Sequence, residues 1–394
     1  MDWKTAWSYL PVNYNTCIGT VSNLTQRTWF KNNLNGSKIK IRFSNLFSEY
    51  PLVFEKVVIG KGEKEKTGIV GTKVITYNGY ERILIEPETE FYSDEIDFCI
   101  SAGEELVISV YVKDEVKICS LCTTWSAGSW HTGYALQGDY TTEQTLEEKD
   151  SFEVFPVLQF DKNKPDVLFG ISEIKVYTDN TVRTVALFGD SITHMSYYSD
   201  SLTDVLYRTY PGQITVVNRG LGGNRLLRDY SNIPEIPGGG TIFGAPGRKR
   251  FYADVYGSEQ PEYVFVLIGI NDFTHPSALK HYEEAVTVEE YIEGITELIH
   301  IAHQNKSKIM IGTMTPFKWE DMDWFSTVEE LRQKANEWIR SQRLSDGIID
   351  FDLATRQSEQ PETMLADCHI GDGLHPNTEG GRRMAAAVPM TWFQ

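Results

Sequence analysis

The chain has 394 residues, more than one typical domain holds, and 41% of them are hydrophobic, which is enough for two substantial cores. Its 55 acidic against 37 basic residues leave a net charge of -18, which works against long-range attraction to nucleic acid or to an anionic membrane surface. No apolar run approaches the ~20 residues of a membrane-spanning helix. Met1-Asp2-Trp3-Lys4 does not open a signal peptide, so the expected compartment is the cytoplasm; a secreted protein whose leader has been removed would read the same.

The amino-terminal half is rich in strand signals. Cys17, Cys99, Cys119, Cys122 and Cys368 are too few and too scattered for a disulfide framework. Cys119 and Cys122 have the spacing of a redox or zinc pair, but no second pair completes a zinc site and no βαβ pattern surrounds them, so both read as structural. Lys38-Ile39-Lys40-Ile41-Arg42-Phe43 alternates polar and apolar like a strand with one wet face, and Leu106–Val112 is a mostly apolar run of strand length. Asn78-Gly79 between two β-rich runs predicts a hairpin, and the charge runs at 61–66 and 147–150 predict solvated loops. Short strands at this spacing predict an antiparallel β-sandwich of the jelly-roll kind over residues 1–178. Within it, Trp125, Trp130 and His131 lie among hydroxyl and small residues, a composition that suits either stacking on a sugar ring or packing; Trp130 is a candidate substrate contact.

Past Gly170 the pattern changes. Ile174-Lys175-Val176-Tyr177, Val185-Ala186-Leu187-Phe188, Gln213-Ile214-Thr215-Val216-Val217, Tyr263-Val264-Phe265-Val266-Leu267-Ile268, Lys308–Gly312 and Gly347-Ile348-Ile349-Asp350-Phe351 read as strands. Helical periodicity lies between them. Thr287-Val288-Glu289-Glu290 reads as a capping box, and Ser326-Thr327-Val328-Glu329 as the opening of another helix. Alternating strands and helices predict a parallel sheet covered on both faces, a three-layer α/β/α domain of flavodoxin-like type over residues 179–394.

Several of these strands end in polar or glycine-rich turns, which the fold would gather at one sheet edge. Gly189-Asp190-Ser191 follows Phe188; Asn218-Arg219-Gly220-Leu221-Gly222-Gly223-Asn224-Arg225 follows Val217; Gly269-Ile270-Asn271-Asp272 follows Ile268. Gly371-Asp372-Gly373-Leu374-His375 lies before the last helical segment. A serine hydroxyl is a weak nucleophile at neutral pH and needs an imidazole to take its proton and a carboxylate to hold the right tautomer. Three residues apart in one loop, Asp372 and His375 can supply both. A developing oxyanion needs fixed donors, for which the backbone N–H groups of Ser191 and Gly223 and the side-chain amide of Asn271 are candidates.

These four blocks, in this order and spacing, resemble the SGNH hydrolases, also called the GDSL lipase/esterase superfamily. The resemblance covers residues 183 to 394 and extends through Thr313-Met314-Thr315-Pro316-Phe317 and residues 346–352. It implies Ser191 as nucleophile, Gly223 and Asn271 with Ser191 as oxyanion hole, His375 as general base and Asp372 as its orienting partner, with no cofactor and no metal. Ile192 stands where the motif's name has leucine, a packing change. His194, in the turn after the nucleophile, touches either substrate or solvent. A sandwich ahead of such a domain resembles the arrangement of some bacterial carbohydrate esterases, which remove acetyl groups from sugars.

Other readings fit less well. Gly220-Leu221-Gly222-Gly223 after a strand suggests dinucleotide binding, but Arg225 occupies the third glycine position. Gly238-Gly239-Gly240 and Gly244-Ala245-Pro246-Gly247-Arg248-Lys249-Arg250 lack a Gly-Lys-Ser/Thr ending and read as a mobile active-site loop. Arg225 and Arg228 suit an anionic substrate or surface acids equally. His281, His300 and His303 read as surface residues, not metal ligands. The expected activity is a metal-independent serine ester hydrolase that releases short acyl groups, acetyl first, from a carbohydrate. A lipase, thioesterase or arylesterase is the alternative, and a carbohydrate-binding protein with an inert hydrolase half is the alternative of another class. Expected partners are a small-molecule or oligosaccharide ester and, at most, further copies of the chain in a homo-oligomer, with neither nucleic acid nor membrane.

Overall fold

The computed structural model describes residues 1–63, 68–156, 158, 164–318 and 322–394; positions 64–66 of the 61–66 charge run lie outside them. The chain forms two compact units. One comprises Met1–Val182 with Leu206–Val217 and Ile236–Ile242, the other Arg183–Val205, Asn218–Glu235 and Phe243–Gln394.

The first unit is built on two five-stranded antiparallel sheets. One runs Asp2–Ser8, Ile171–Thr178, Gly36–Ser44, Glu90–Tyr92, with Ile96–Ile100 also paired to Gly36–Ser44; the other runs Trp130–Leu136, Leu24–Phe30, Leu106–Val112, Lys56–Gly62, Ile69–Val74. The alternation read in Lys38 to Phe43 holds: Ile39, Ile41 and Phe43 are fully buried. Leu106–Val112 is buried along both faces except at Tyr111, and as the central strand it has both edges paired, with Leu24–Phe30 and Lys56–Gly62. Cys119 and Cys122 are buried and unbridged, consistent with a structural role.

Asn78 and Gly79 do form a tight turn with positive φ at both positions (53° and 79°), closed by reciprocal bonds between Tyr77 and Tyr80. The hairpin ends there. Ile69–Val74 pairs with the preceding strand Lys56–Gly62 and Ile83–Ile85 with Leu52–Phe54, so the strands on either side of the turn pair with earlier segments and not with each other. Leu206–Val217 groups with this unit through the Asn33 side chain, which donates to the carbonyls of Tyr210 (3.1 Å) and Ile214 (2.7 Å), and through Thr215, which donates to the Thr5 carbonyl (2.6 Å).

In the second unit, Arg183–Gly189, Tyr263–Leu267, Lys308–Gly312 and Gly347–Ile349 pair in parallel, and Ile214–Gly220 completes the sheet beyond Arg183–Gly189. In chain order the strands therefore lie 2-1-3-4-5, the doubly wound order in which the direction of winding reverses between strands 1 and 3. Right-handed crossovers on either side of that point put helices on both faces. Val185, Ala186, Leu187 and Phe188 are all fully buried, as a central strand requires, and each large side chain among them stabilises the fold by about 1.5–3 kcal/mol.

The helix Val288–Gln304 carries the capping box as read: Thr287 accepts from the Glu290 N–H and Glu290 from the Thr287 N–H. Phe325–Ser341 begins one residue before Ser326, with Trp324 at the N-cap and no side-chain cap. The segment read as a mobile loop ends in the helix Gly247–Tyr256, where the Arg250 side chain is buried and bonded on several sides. No helix among the described residues is long and apolar enough to cross a membrane.

Candidate active site

Strands 1 and 3 flank the point where the winding reverses, and each delivers one functional side chain from its carboxyl end. Gly189 closes the first strand. A Cβ there would lie 2.3 Å from the Leu267 carbonyl and from Thr193 Oγ1, so only glycine fits between the two strand ends. Asp190 then caps the single-turn helix Ser191–His194 by accepting from the Ile192 N–H (3.0 Å). Ser191 is the first residue of that turn, and its N–H has no intrahelical acceptor.

The partner loop is drawn tight by its own backbone. Asp372 Oδ1 accepts from the N–H groups of Leu374 (3.0 Å) and His375 (2.9 Å), leaving Oδ2 to take the His375 Nδ1 proton at 2.6 Å. His375 Nε2, thereby unprotonated, accepts from the Ser191 hydroxyl at 2.7 Å. Burial pushes the Asp372 carboxyl up, but the hydrogen bonds from the His375 ring and backbone outweigh it and hold the group below the usual carboxylate range. Asp372 is thus a carboxylate wherever His375 acts as a base. His369, which no sequence feature distinguishes, supports the loop from beneath: its Nδ1 accepts from the N–H groups of both Gly371 and Gly373 at 3.0 Å.

The proposed oxyanion donors are tied to one another. The Leu221 N–H donates to the Gly189 carbonyl (3.1 Å) and the Gly222 N–H to His194 Nδ1 (2.9 Å), which fixes the turn before Gly223 to the turn that carries Ser191. Gly223 has φ +68°, a conformation suited to glycine, and a Cβ on it would fall 2.1 Å from the Phe243 ring. Asn271 lies in the first turn of the helix Ile270–Ala278 and donates through one Nδ2 hydrogen to the Asn224 carbonyl (3.0 Å), one of the two that its amide carries. Asn224 is itself clamped. Its Nδ2 donates to the carbonyls of Phe243 and Ala245, and its Oδ1 accepts from Arg250 Nε.

Beneath the site lie buried charges. Arg250 donates to the Gly189 and Arg219 carbonyls and to Asp254, and its guanidinium stacks 4.2 Å over the Phe188 ring. Burial pushes the Asp190 carboxyl up to about 7 and that of Asp272 up to about 6. Asp272 receives the N–H groups of Leu226 and Leu227, so its role is to hold the chain that follows Gly223.

The three residues read as substrate contacts fall elsewhere. His194 is buried and spends Nδ1 on Gly222, a positioning task and not a substrate contact. Arg225 is buried and paired to Glu284 at 2.6 Å, so its charge is already neutralised; Arg228 pairs with Glu290. Trp130 is 1% exposed and meets Trp7 and Tyr9 edge to face, so it has no open ring face for a sugar. His281, Glu283 and Glu284 place ligand-type atoms close together, but Glu284 is already engaged by Arg225 and Ser231.

Residues 187–383 match the GDSL-like Lipase/Acylhydrolase family. The chain belongs to this family. It is a carboxylic ester hydrolase of the SGNH superfamily. Among solved structures it is similar to a catalytic mutant of Axe2, an acetylxylan esterase from Geobacillus stearothermophilus, with 19% identity over 52% of this chain and 91% of that one and a TM-score of 0.40. It is also similar to LAE5, an α/β hydrolase enzyme from the metagenome of Lake Arreo, Spain, with 21% identity over 52% of this chain and 92% of that one and a TM-score of 0.38. No curated protein matches the chain.

Proposed function

We propose that this hydrolase removes short acyl groups, acetyl above all, from the hydroxyls of a carbohydrate. The observation that carries the reading is the unbroken chain Asp372 Oδ2, His375 Nδ1, His375 Nε2, Ser191 Oγ, with bonds of 2.6 and 2.7 Å. In the reaction, Ser191 Oγ passes its proton to His375 Nε2 and attacks the ester carbonyl carbon. The N–H groups of Ser191 and Gly223 and Nδ2 of Asn271 receive the oxyanion, each such donor being worth about 2.7–4 kcal/mol. His375 returns the proton to the departing sugar oxygen, leaving Ser191 acylated. Water, deprotonated by the same Nε2, then attacks the acyl-enzyme; the acid leaves and the hydroxyl of Ser191 is restored.

The choice of a small acyl group on a polar alcohol is supported by the character of the loops that carry the site. Asn218 to Asn224 and Gly371 to Asn377 are polar or glycine-rich, whereas a long acyl chain would need an apolar groove. The test is release of p-nitrophenol from acetate through decanoate esters by the wild type and Ser191→Ala, followed by acetate release from O-acetylated oligosaccharides. Turnover fastest on acetate, abolished by the substitution and repeated on the sugars, is expected. Preference for longer chains would favour a lipase or thioesterase, and a mutant equal to the wild type would remove Ser191 from the mechanism.

A further inference from the structure

An aromatic ring stands beside the oxyanion donors that the catalytic scheme does not use. Because a Cβ on Gly223 would lie 2.1 Å from Phe243 Cδ1, the Phe243 ring is in van der Waals contact with the backbone of the oxyanion glycine. Its centroid also lies 5.6 Å from that of the His275 ring. His275 stands four residues after Asn271 on the helix Ile270–Ala278, hence on the helix face that carries the third donor. The ring therefore spans from the second donor to the turn beyond the third.

We propose that Phe243, backed by His275, is the end wall of the acyl pocket and restricts this enzyme to short acyl groups. The inference rests on the ester-hydrolase reading of Ser191. An ester whose carbonyl oxygen sits among the three donors has its carbon over Ser191 Oγ, with its two substituents angled away from the carbonyl bond; in the proposed pocket the acyl one runs alongside the Gly223 turn, where Phe243 stands. A ring in contact with donor backbone stops the chain after few atoms. Nor does the wall yield readily: the carbonyls of Phe243 and Ala245 are held by Asn224 Nδ2 at 2.6 and 2.8 Å, and a Cβ on the intervening Gly244 would meet Leu221 Cδ2 at 2.4 Å. The backing is uncharged. His275 is half-buried, its buried Nδ1 has no hydrogen-bond partner among the described residues, and desolvation pushes its pKa down to about 4, which leaves a neutral imidazole. The nearby Arg225 is matched by Glu284. A neutral wall of this kind suits an alkyl terminus.

Two measurements test it on the full chain. Phe243→Ala and the milder Phe243→Leu are assayed on p-nitrophenyl acetate, butyrate and octanoate, and the rates at which methyl and octyl fluorophosphonates label Ser191 are read by intact mass. Opening the wall is expected to shift the acetate-to-octanoate ratio of kcat/KM at least tenfold toward octanoate, by about fourfold for each methylene that gains a buried place. The octyl probe should gain on the methyl probe in the same order, with Phe243→Leu between the extremes. A parallel fall at all chain lengths, or an unchanged ratio in whichever variant folds, would overturn the wall and leave Phe243 as a support of the turn. Absence of both labelling and ester turnover in the wild type would instead sink the ester-hydrolase reading, and the inference with it.

Discussion

His194 Nδ1 accepts the backbone N–H of Gly222 at 2.9 Å, so a side chain three residues after Ser191 holds the peptide next to Gly223, the proposed oxyanion glycine. The ring links two turns that are 28 residues apart in sequence. Removing it takes away one tie between the Gly222 turn and the turn that carries Ser191, leaving the Leu221 N–H to Gly189 bond. Since loss of a whole oxyanion donor lowers kcat by about 10²–10³, its misplacement in His194→Ala is expected to lower kcat about 10- to 100-fold with KM little changed. His194→Asn, whose Oδ1 reaches nearly the same point, should recover most of the loss. Steady-state kinetics on p-nitrophenyl acetate decide the matter, and an unchanged kcat in the alanine variant would deny the residue any positioning role.

The buried carboxyl just before Ser191 makes stability depend on pH in an unusual direction. Asp190, pushed up to about 7 by burial, binds a proton in the folded state that an unfolded aspartate, at about 3.9, gives up. The folded chain therefore holds more protons between those values. The stabilisation is fully present below about pH 4 and is lost as pH rises toward 7. Asp190→Asn cannot titrate yet still caps the turn after Gly189. Its Tm should rise relative to the wild type as the buffer goes from pH 4.5 to 7.5, and a difference that stays constant across that range would show that Asp190 is ionised throughout.

Arg250 is expected to matter more for stability than any residue of the triad. Its guanidinium satisfies the Gly189 and Arg219 carbonyls, Asn224 Oδ1 and Asp254 at once. Breaking a buried charge network from one side costs about 3–5 kcal/mol, so Arg250→Met should shift urea unfolding by that order. Arg250→Lys keeps the charge but cannot reach four acceptors in a planar fork, and should recover only part. Equal stability of all three proteins would mean that the network contributes nothing net.

What the sequence made legible is what depends on short range or on chemical necessity. The apolar run Val185 to Phe188 can only be an inner strand, Thr287 and Glu290 cap each other within one turn, and Asp372 lies three residues from the histidine that it orients. What it hid depends on backbone groups brought from far away. Ile83–Ile85 pairs with Leu52–Phe54, beyond the Asn78-Gly79 turn and the strand before it; Arg250 bonds a carbonyl 61 residues away; Leu206–Val217 joins the first unit through Asn33 and Thr5. His194 and His369 look alike in sequence as polar residues of a loop, and only the N–H groups that face them show that each holds a turn in place.

Trp130 illustrates the same limit and yields a prediction that separates packing from recognition. A sugar-stacking tryptophan presents a ring face to solvent, but this ring is 1% exposed, with Trp7 at 5.8 Å and 81° and Tyr9 at 5.5 Å and 79°. Trp130→Ala should therefore destabilise the chain by about 3–5 kcal/mol through the cavity it leaves. Trp130→Phe should be far milder. It retains much of the ring and removes an indole N–H that is buried without a hydrogen-bond partner among the described residues, so the lost volume is offset by relief of an unsatisfied donor. In the phenylalanine variant KM for an O-acetylated oligosaccharide should match the wild type. A KM raised severalfold at an unchanged Tm would place Trp130 in glycan recognition despite its burial.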